Sequence, residues 1–152
     1  MPDTRKHESA QPETILAFDF GLRRIGVAVG QTVTGSASPL RVLANGDKGP
    51  DFGLIARLID EWRPSRLVVG MPLHADGTPG DMQAHVEGFV RELWRYQLKV
   101  DMVDERYTSL EAENVLRRAR ANGSRGRISK EIIDSAAAVL IAERFLSGRT
   151  KV

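Results

Sequence analysis

The run ILAFDF, Ile15–Phe20, limits the architecture more than any other stretch of this 152-residue chain. It is apolar without alternation, apart from one acid, Asp19. A strand with no polar side must be covered on both faces, which places it in the middle of a sheet. Arg24–Gly30 and Ser36–Ala44 also read as strands. They follow so closely that only an antiparallel meander can join the three.

The pattern then changes period. Phe52, Ile55, Leu58, Ile59 and Trp62 recur at helical spacing, and Pro64 closes that helix. RLVVG (66–70) is a short buried strand. Met82, Val86, Phe89, Val90 and Leu93 mark a second amphipathic helix, and LKVDMVDE (98–105) holds another strand. Thr108 with Glu111 forms a capping box, so a helix is expected to run from there to about Arg120. ANGSRGR (121–127) reads as a loop. Ser129 can cap a last helix carrying Ile132, Ile133, Ala136, Ala137, Leu140, Ile141 and Phe145. Strands separated by helical crossovers are expected to run parallel to the first. The predicted fold is therefore an α/β mixed sheet, three antiparallel strands followed by two parallel ones, with helices on both faces. Residues 14–147 are expected to form one domain between a flexible tail over 1–13 and a C-terminal tail over 148–152.

Composition narrows the chemistry. No apolar stretch approaches the roughly 18 residues of a membrane span. The chain has no cysteine, which rules out disulfides, thiolate metal sites and a cysteine nucleophile, and fits a reducing cytoplasm. A net charge of +2 decides little, but its distribution is uneven. Between Val115 and Lys130 stand six cations (Arg117, Arg118, Arg120, Arg125, Arg127 and Lys130) and no acid. Such a run suits phosphates, although a solvated helix face would look the same.

Three acids stand where burial is expected. Asp19 ends the central strand, where sites gather in open α/β sheets. Its competing role is a turn acid before Gly21. Asp134 shares a helical face with Ala138, Ile141 and Phe145, so it aims at the sheet, though an acid near a helix N-terminus is also favourable in itself. In DERYTS (104–109), strand alternation sends Asp104 and Glu105 to opposite faces, and spacing does not choose between them. Three inward acids without thiolates suit a hard cation, Mg²⁺ or Mn²⁺, and through it phosphodiester chemistry.

The segments DFGLRRIGVAV (19–29), GMPLHADGTPG (70–80), DERYTS (104–109) and IDSAAAVLI (133–141) resemble the four motifs of the YqgF/RuvX family, in order and spacing, from about Ile15 to Phe145. Its members are RNase H-like proteins described as Holliday junction resolvases or pre-16S ribosomal RNA nucleases. The resemblance implies an RNase H-like fold, divalent-metal nuclease activity, a cytoplasmic location and a role in ribosomal RNA maturation. Carried over residue by residue, it implies Asp19, Glu105 and Asp134 as catalytic and metal-binding acids, with Arg24 and Arg106 as phosphate contacts. Arg117, Arg118, Arg125, Arg127 and Lys130 would line the path of the nucleic acid. The implied partners are pre-rRNA or branched DNA and ribosomal particles, with no membrane; monomer and dimer both remain open. Two departures stand out: Gly30 and Gln31 follow Val29 where the family has a small residue and Ser-Asp, and no amide stands near His74–Ala75. A catalytically silent ribosome-assembly factor on the same fold is one alternative. An actin-like nucleotide-binding protein is another, but the chain has room for one such domain and carries no GxxxxGK[ST] loop.

Overall fold

The computed structural model describes residues 11–72, 80–104 and 130–149, with the side chains of the last helix described over 135–148. Five strands form one sheet of order β3-β2-β1-β4-β5: β1 (Thr14–Phe20), β2 (Arg24–Gln31), β3 (Ser36–Ala44), β4 (Arg66–Met71) and β5 (Lys99–Asp104). β1, β2 and β3 are successive antiparallel neighbours. β4 runs parallel to β1, and β5 parallel to β4. The expected mixed topology is observed, with β1 at its centre. β3 is an edge strand, which accommodates Pro39 beside a register shift between Val27 and Ala28.

Alternation along the strands makes two cores. Leu16 and Phe18 of β1 pack with Ile25, Val27, Leu43, Leu67 and Val69 under helices α1 (Phe52–Trp62) and α2 (Gln83–Leu93). Phe89 of α2 meets Phe18 edge-on, with ring centroids 5.7 Å apart. Ile15 and Ala17 point the other way, against Val68 and, on helix α3 (Lys130–Arg149), Ile141, Ala142 and Leu146. Helices therefore cover both faces, as an unalternating central strand requires.

The element ends follow local chemistry. Asp51 caps α1 by accepting from the Leu54 N–H at 3.1 Å. α1 stops at Arg63, which takes a left-handed conformation at φ 47° just before Pro64. Met82 is the N-cap of α2 rather than a residue within it. The helix expected over 108–120 and the loop over 121–127 lie outside the described residues, as do Ser129 and the N-terminal residues before 11. Glu13 is anchored: its backbone N–H donates to Thr32 Oγ1 at 2.9 Å, and its carboxylate accepts from Ser65 Oγ at 2.8 Å.

Candidate nuclease site

Asp19 lies one residue from the end of β1, half-buried. Strand alternation gives it the parity of Ile15 and Ala17, so it belongs to the face that α3 covers. Its antiparallel partner is Gly26, which has no side chain to crowd the carboxylate. On the other side, β4 runs in parallel register through Phe18↔Val69, and the next residue along β4 is again a glycine, Gly70. The acid is thus flanked by bare backbone at the carboxyl end of the central strand.

Helix α3 packs on the face of the sheet to which Asp19 belongs. Near its C-terminal end, Leu146 packs with Ile15 at the start of β1. Position 134 stands one turn before Ala138 and two turns before Ile141, both fully buried. The side chain of Asp134 itself lies outside the described residues.

On β5, Asp101 and Val103 have the parity of the α3 face: Val103 joins the core beneath α3, and Asp101 binds Arg66, whose guanidinium lies 5.5 Å from the Phe145 ring centroid. Asp104 has the opposite parity. Its backbone is nevertheless tied to the helix, because Arg144 Nη1 donates to the Asp104 carbonyl at 2.6 Å. Glu105 and Arg106 lie outside the described residues, as do Arg117, Arg118, Arg125 and Arg127, and Lys130 is described by its backbone alone. Arg24 is exposed at the first position of β2, close in sequence to the turn that follows Asp19.

That turn is held by a residue that sequence reasoning passed over. Asn45, 9% exposed, donates from Nδ2 to the Gly21 carbonyl at 2.7 Å, and its backbone N–H donates to the Arg23 carbonyl at 2.8 Å. Gly21 has no alternative here, since a Cβ would lie 2.6 Å from the Arg24 carbonyl oxygen. Asn45-Gly46 reads in sequence as an ordinary turn dipeptide, and nothing local signals its bond to residue 21. Gly30, a departure from the resembled motif, has a packing reason: a Cβ there would sit 3.0 Å from Ile15 Cγ1 and 3.2 Å from Leu146 Cδ1.

The donor chemistry around Asp19 suits a hard divalent cation. A carboxylate supplies oxygen, the chain has no thiolate, and the neighbouring glycines leave room beside the strand. Among the described residues no three His, Cys, Asp or Glu side chains cluster closely enough to hold an ion. A complete shell would therefore need acids beyond them. His85 is exposed on α2, while His7 and His74 lie outside the described residues.

A five-stranded sheet of order β3-β2-β1-β4-β5, its acid-bearing face covered by the last helix, defines the protein as RNase H-like. The solved structure of T. thermophilus RuvC in complex with Holliday junction substrate shares this fold with a TM-score of 0.54 at 14% sequence identity, covering 91% of this chain and 96% of that one. A second Thermus thermophilus RuvC structure matches with a TM-score of 0.52, covering 90% and 96%. The chain belongs to the RuvX family, described as Holliday junction resolvase, which matches residues 13–148. A relative from Burkholderia lata (strain 383), named "Putative pre-16S rRNA nuclease", is 46% identical over 139 residues, 91% of each chain. A Burkholderia cenocepacia (strain HI2424) relative of the same name is 45% identical over 91% of each. Among the described residues no helix is long and apolar enough to cross a membrane.

Proposed function

We propose that the protein is a divalent-metal-dependent nuclease that hydrolyses phosphodiester bonds in ribosomal RNA precursors. The observation that carries this reading is Asp19: a carboxylate at the carboxyl end of the central strand, flanked by Gly26, on the face covered by α3. A carboxylate there offers the hard oxygen donors that Mg²⁺ and Mn²⁺ bind. Position 134 on the sheet-facing side of α3 supports Asp134 as the second acid. An extended residue 105 would have the parity of Asp101 and Val103, which favours Glu105 over Asp104 as the third. Mg²⁺ or Mn²⁺ held there would supply activation of a water and stabilisation of the leaving oxygen.

The chain's own residues would do the rest. Asp19, Glu105 and Asp134 fix the cation through oxygen donors. Arg24 and Arg106 hold the phosphate whose ester is cut, and the cations from Arg117 to Lys130 carry the flanking strand by charge alone. RNA is favoured as substrate by the names of the relatives at 44–46% identity, and branched DNA by the family description.

The test is Asp19→Asn. We expect the variant to lose Mg²⁺- or Mn²⁺-dependent cleavage of a pre-16S rRNA fragment by at least ~100-fold, on the scale of losing a group that acts in the transition state, with its melting temperature nearly unchanged. A four-way DNA junction run in parallel identifies the preferred substrate. Undiminished cleavage by the variant overturns the assignment.

A further inference from the structure

We propose that Asn45 is a positioning residue of the metal site, acting through the turn that links Asp19 to Arg24. This inference rests on the reading of Asp19 as a metal-binding acid. β1 ends at Phe20 and β2 begins at Arg24, so three residues, Gly21, Leu22 and Arg23, join the acid's strand to the cation's strand. A turn this short transmits its geometry to both strand ends. Core packing does little to hold it, since Leu22 and Arg23 are exposed; Leu22 is 55% exposed.

Asn45 grips the turn at both ends. Its side-chain amide takes the Gly21 carbonyl and its backbone N–H takes the Arg23 carbonyl. It can do so because β3 pairs with β2 up to Arg24↔Ala44, which delivers the next residue to the mouth of the turn. Asn45 is itself held: it is one of two buried polar residues among those described, and a buried amide is costly unless its bonds are made. The missing Cβ at Gly21 allows the Arg24 carbonyl its close approach from within the turn. Gly21 and Asn45 thus define one turn geometry between them, and that geometry sets where the Asp19 carboxylate stands relative to the Arg24 guanidinium.

A positioning role and a purely structural one separate in a metal titration. Wild type, Asn45→Ala, Asn45→Leu and Asp19→Asn are titrated with Mn²⁺ by calorimetry, alongside thermal unfolding without metal. Asn45→Leu keeps roughly the volume and loses the donor; Asn45→Ala loses both. We expect both Asn45 variants to keep the wild-type Mn²⁺ stoichiometry while Kd rises at least about fivefold. Asp19→Asn should abolish binding. Wild-type Kd in both Asn45 variants overturns the proposal, and so does a reduced stoichiometry at unchanged Kd, which would mean that part of the protein had merely unfolded. Absence of Mn²⁺ binding in the wild type, or full binding by Asp19→Asn, instead overturns the metal-site reading, and the positioning role with it.

Discussion

Arg144, ten residues along α3 from position 134, donates Nη1 to the carbonyl oxygen of Asp104, the last residue of β5, at 2.6 Å. One side chain thus joins the last helix to the end of the strand that leads into DERYTS. The bond is charge-assisted and partly buried, a class roughly twice as strong as a hydrogen bond between neutral groups.

Replacing Arg144 by Leu should therefore lower stability by about 1–2 kcal/mol. Cleavage should fall by more than that loss implies, because Glu105 follows directly on the released carbonyl. Chemical denaturation gives the first quantity. Single-turnover cleavage at a denaturant concentration well below the midpoint gives the second. Equal activity per folded molecule would show that the end of β5 needs no such tie.

Gly30 should tolerate Ala better than Val. The atoms that an added Cβ would meet, Ile15 Cγ1 at 3.0 Å and Leu146 Cδ1 at 3.2 Å, belong to side chains that can shift by a few tenths of an ångström. Gly30→Ala should cost about 1 kcal/mol or less, whereas Gly30→Val should cost about 2–3 kcal/mol by prising α3 off the sheet. Urea midpoints of the two variants decide it.

Arg66 Nη1 meets Asp101 Oδ2 at 2.6 Å on the face that α3 covers, while its Nη2 lies 4.0 Å from Glu13 Oε1 and the Phe145 ring is stacked close by. Asp101 is 39% exposed by side chain, so water screens the pair. Asp101→Asn should cost no more than about 1 kcal/mol at low salt. That difference from wild type should shrink in about 1 M NaCl, where the screening length is about 3 Å. A loss that is independent of salt would mean that packing on Phe145, and not charge, is what Asp101 maintains.

The hydroxyl of Tyr96 donates to the Phe52 carbonyl at 3.2 Å, joining the short 3₁₀ turn Trp94–Tyr96 after α2 to the start of α1. Burial raises its pKa above the ordinary phenol value, and the neighbouring Arg95 only partly opposes this. The folded state therefore holds the phenolic proton more tightly than the unfolded chain does. This contribution to stability is fully present below the unfolded pKa of about 10 and is lost as pH rises through the higher folded value. Melting temperatures of Tyr96→Phe and wild type should thus converge as pH climbs from about 9 to about 11. Parallel curves would contradict the raised pKa.

Much of the scaffold was legible from periodicity. The unalternating run in β1 implied two covered faces, and Leu16 and Phe18 indeed face α1 and α2 while Ile15 and Ala17 face α3. Helical spacing marked Ile55, Leu58, Val86, Phe89 and Leu93, all of them buried. Of the proposed acids, Asp19 could be picked out because a charge inside an apolar strand breaks its pattern. The choice between Asp104 and Glu105 could not be made from spacing, since alternation alone says only that they differ. The packing of Val103 under α3 and the pairing of Asp101 with Arg66 give Asp104 the opposite parity, and Glu105 lies outside the described residues.

Among the described residues the chain by itself determined the strands, the helices and the direction in which each strand runs, because those follow from side-chain period and loop length, which are local. Tertiary structure alone decided that Asn45 would grip a turn 24 residues earlier in the chain, and that Arg144 would hold a carbonyl 40 residues away. It also decided that Gly30 would clear the way for Leu146. These contacts join residues whose separation carries no period. They exist only once the sheet and the last helix have fixed where each backbone group stands.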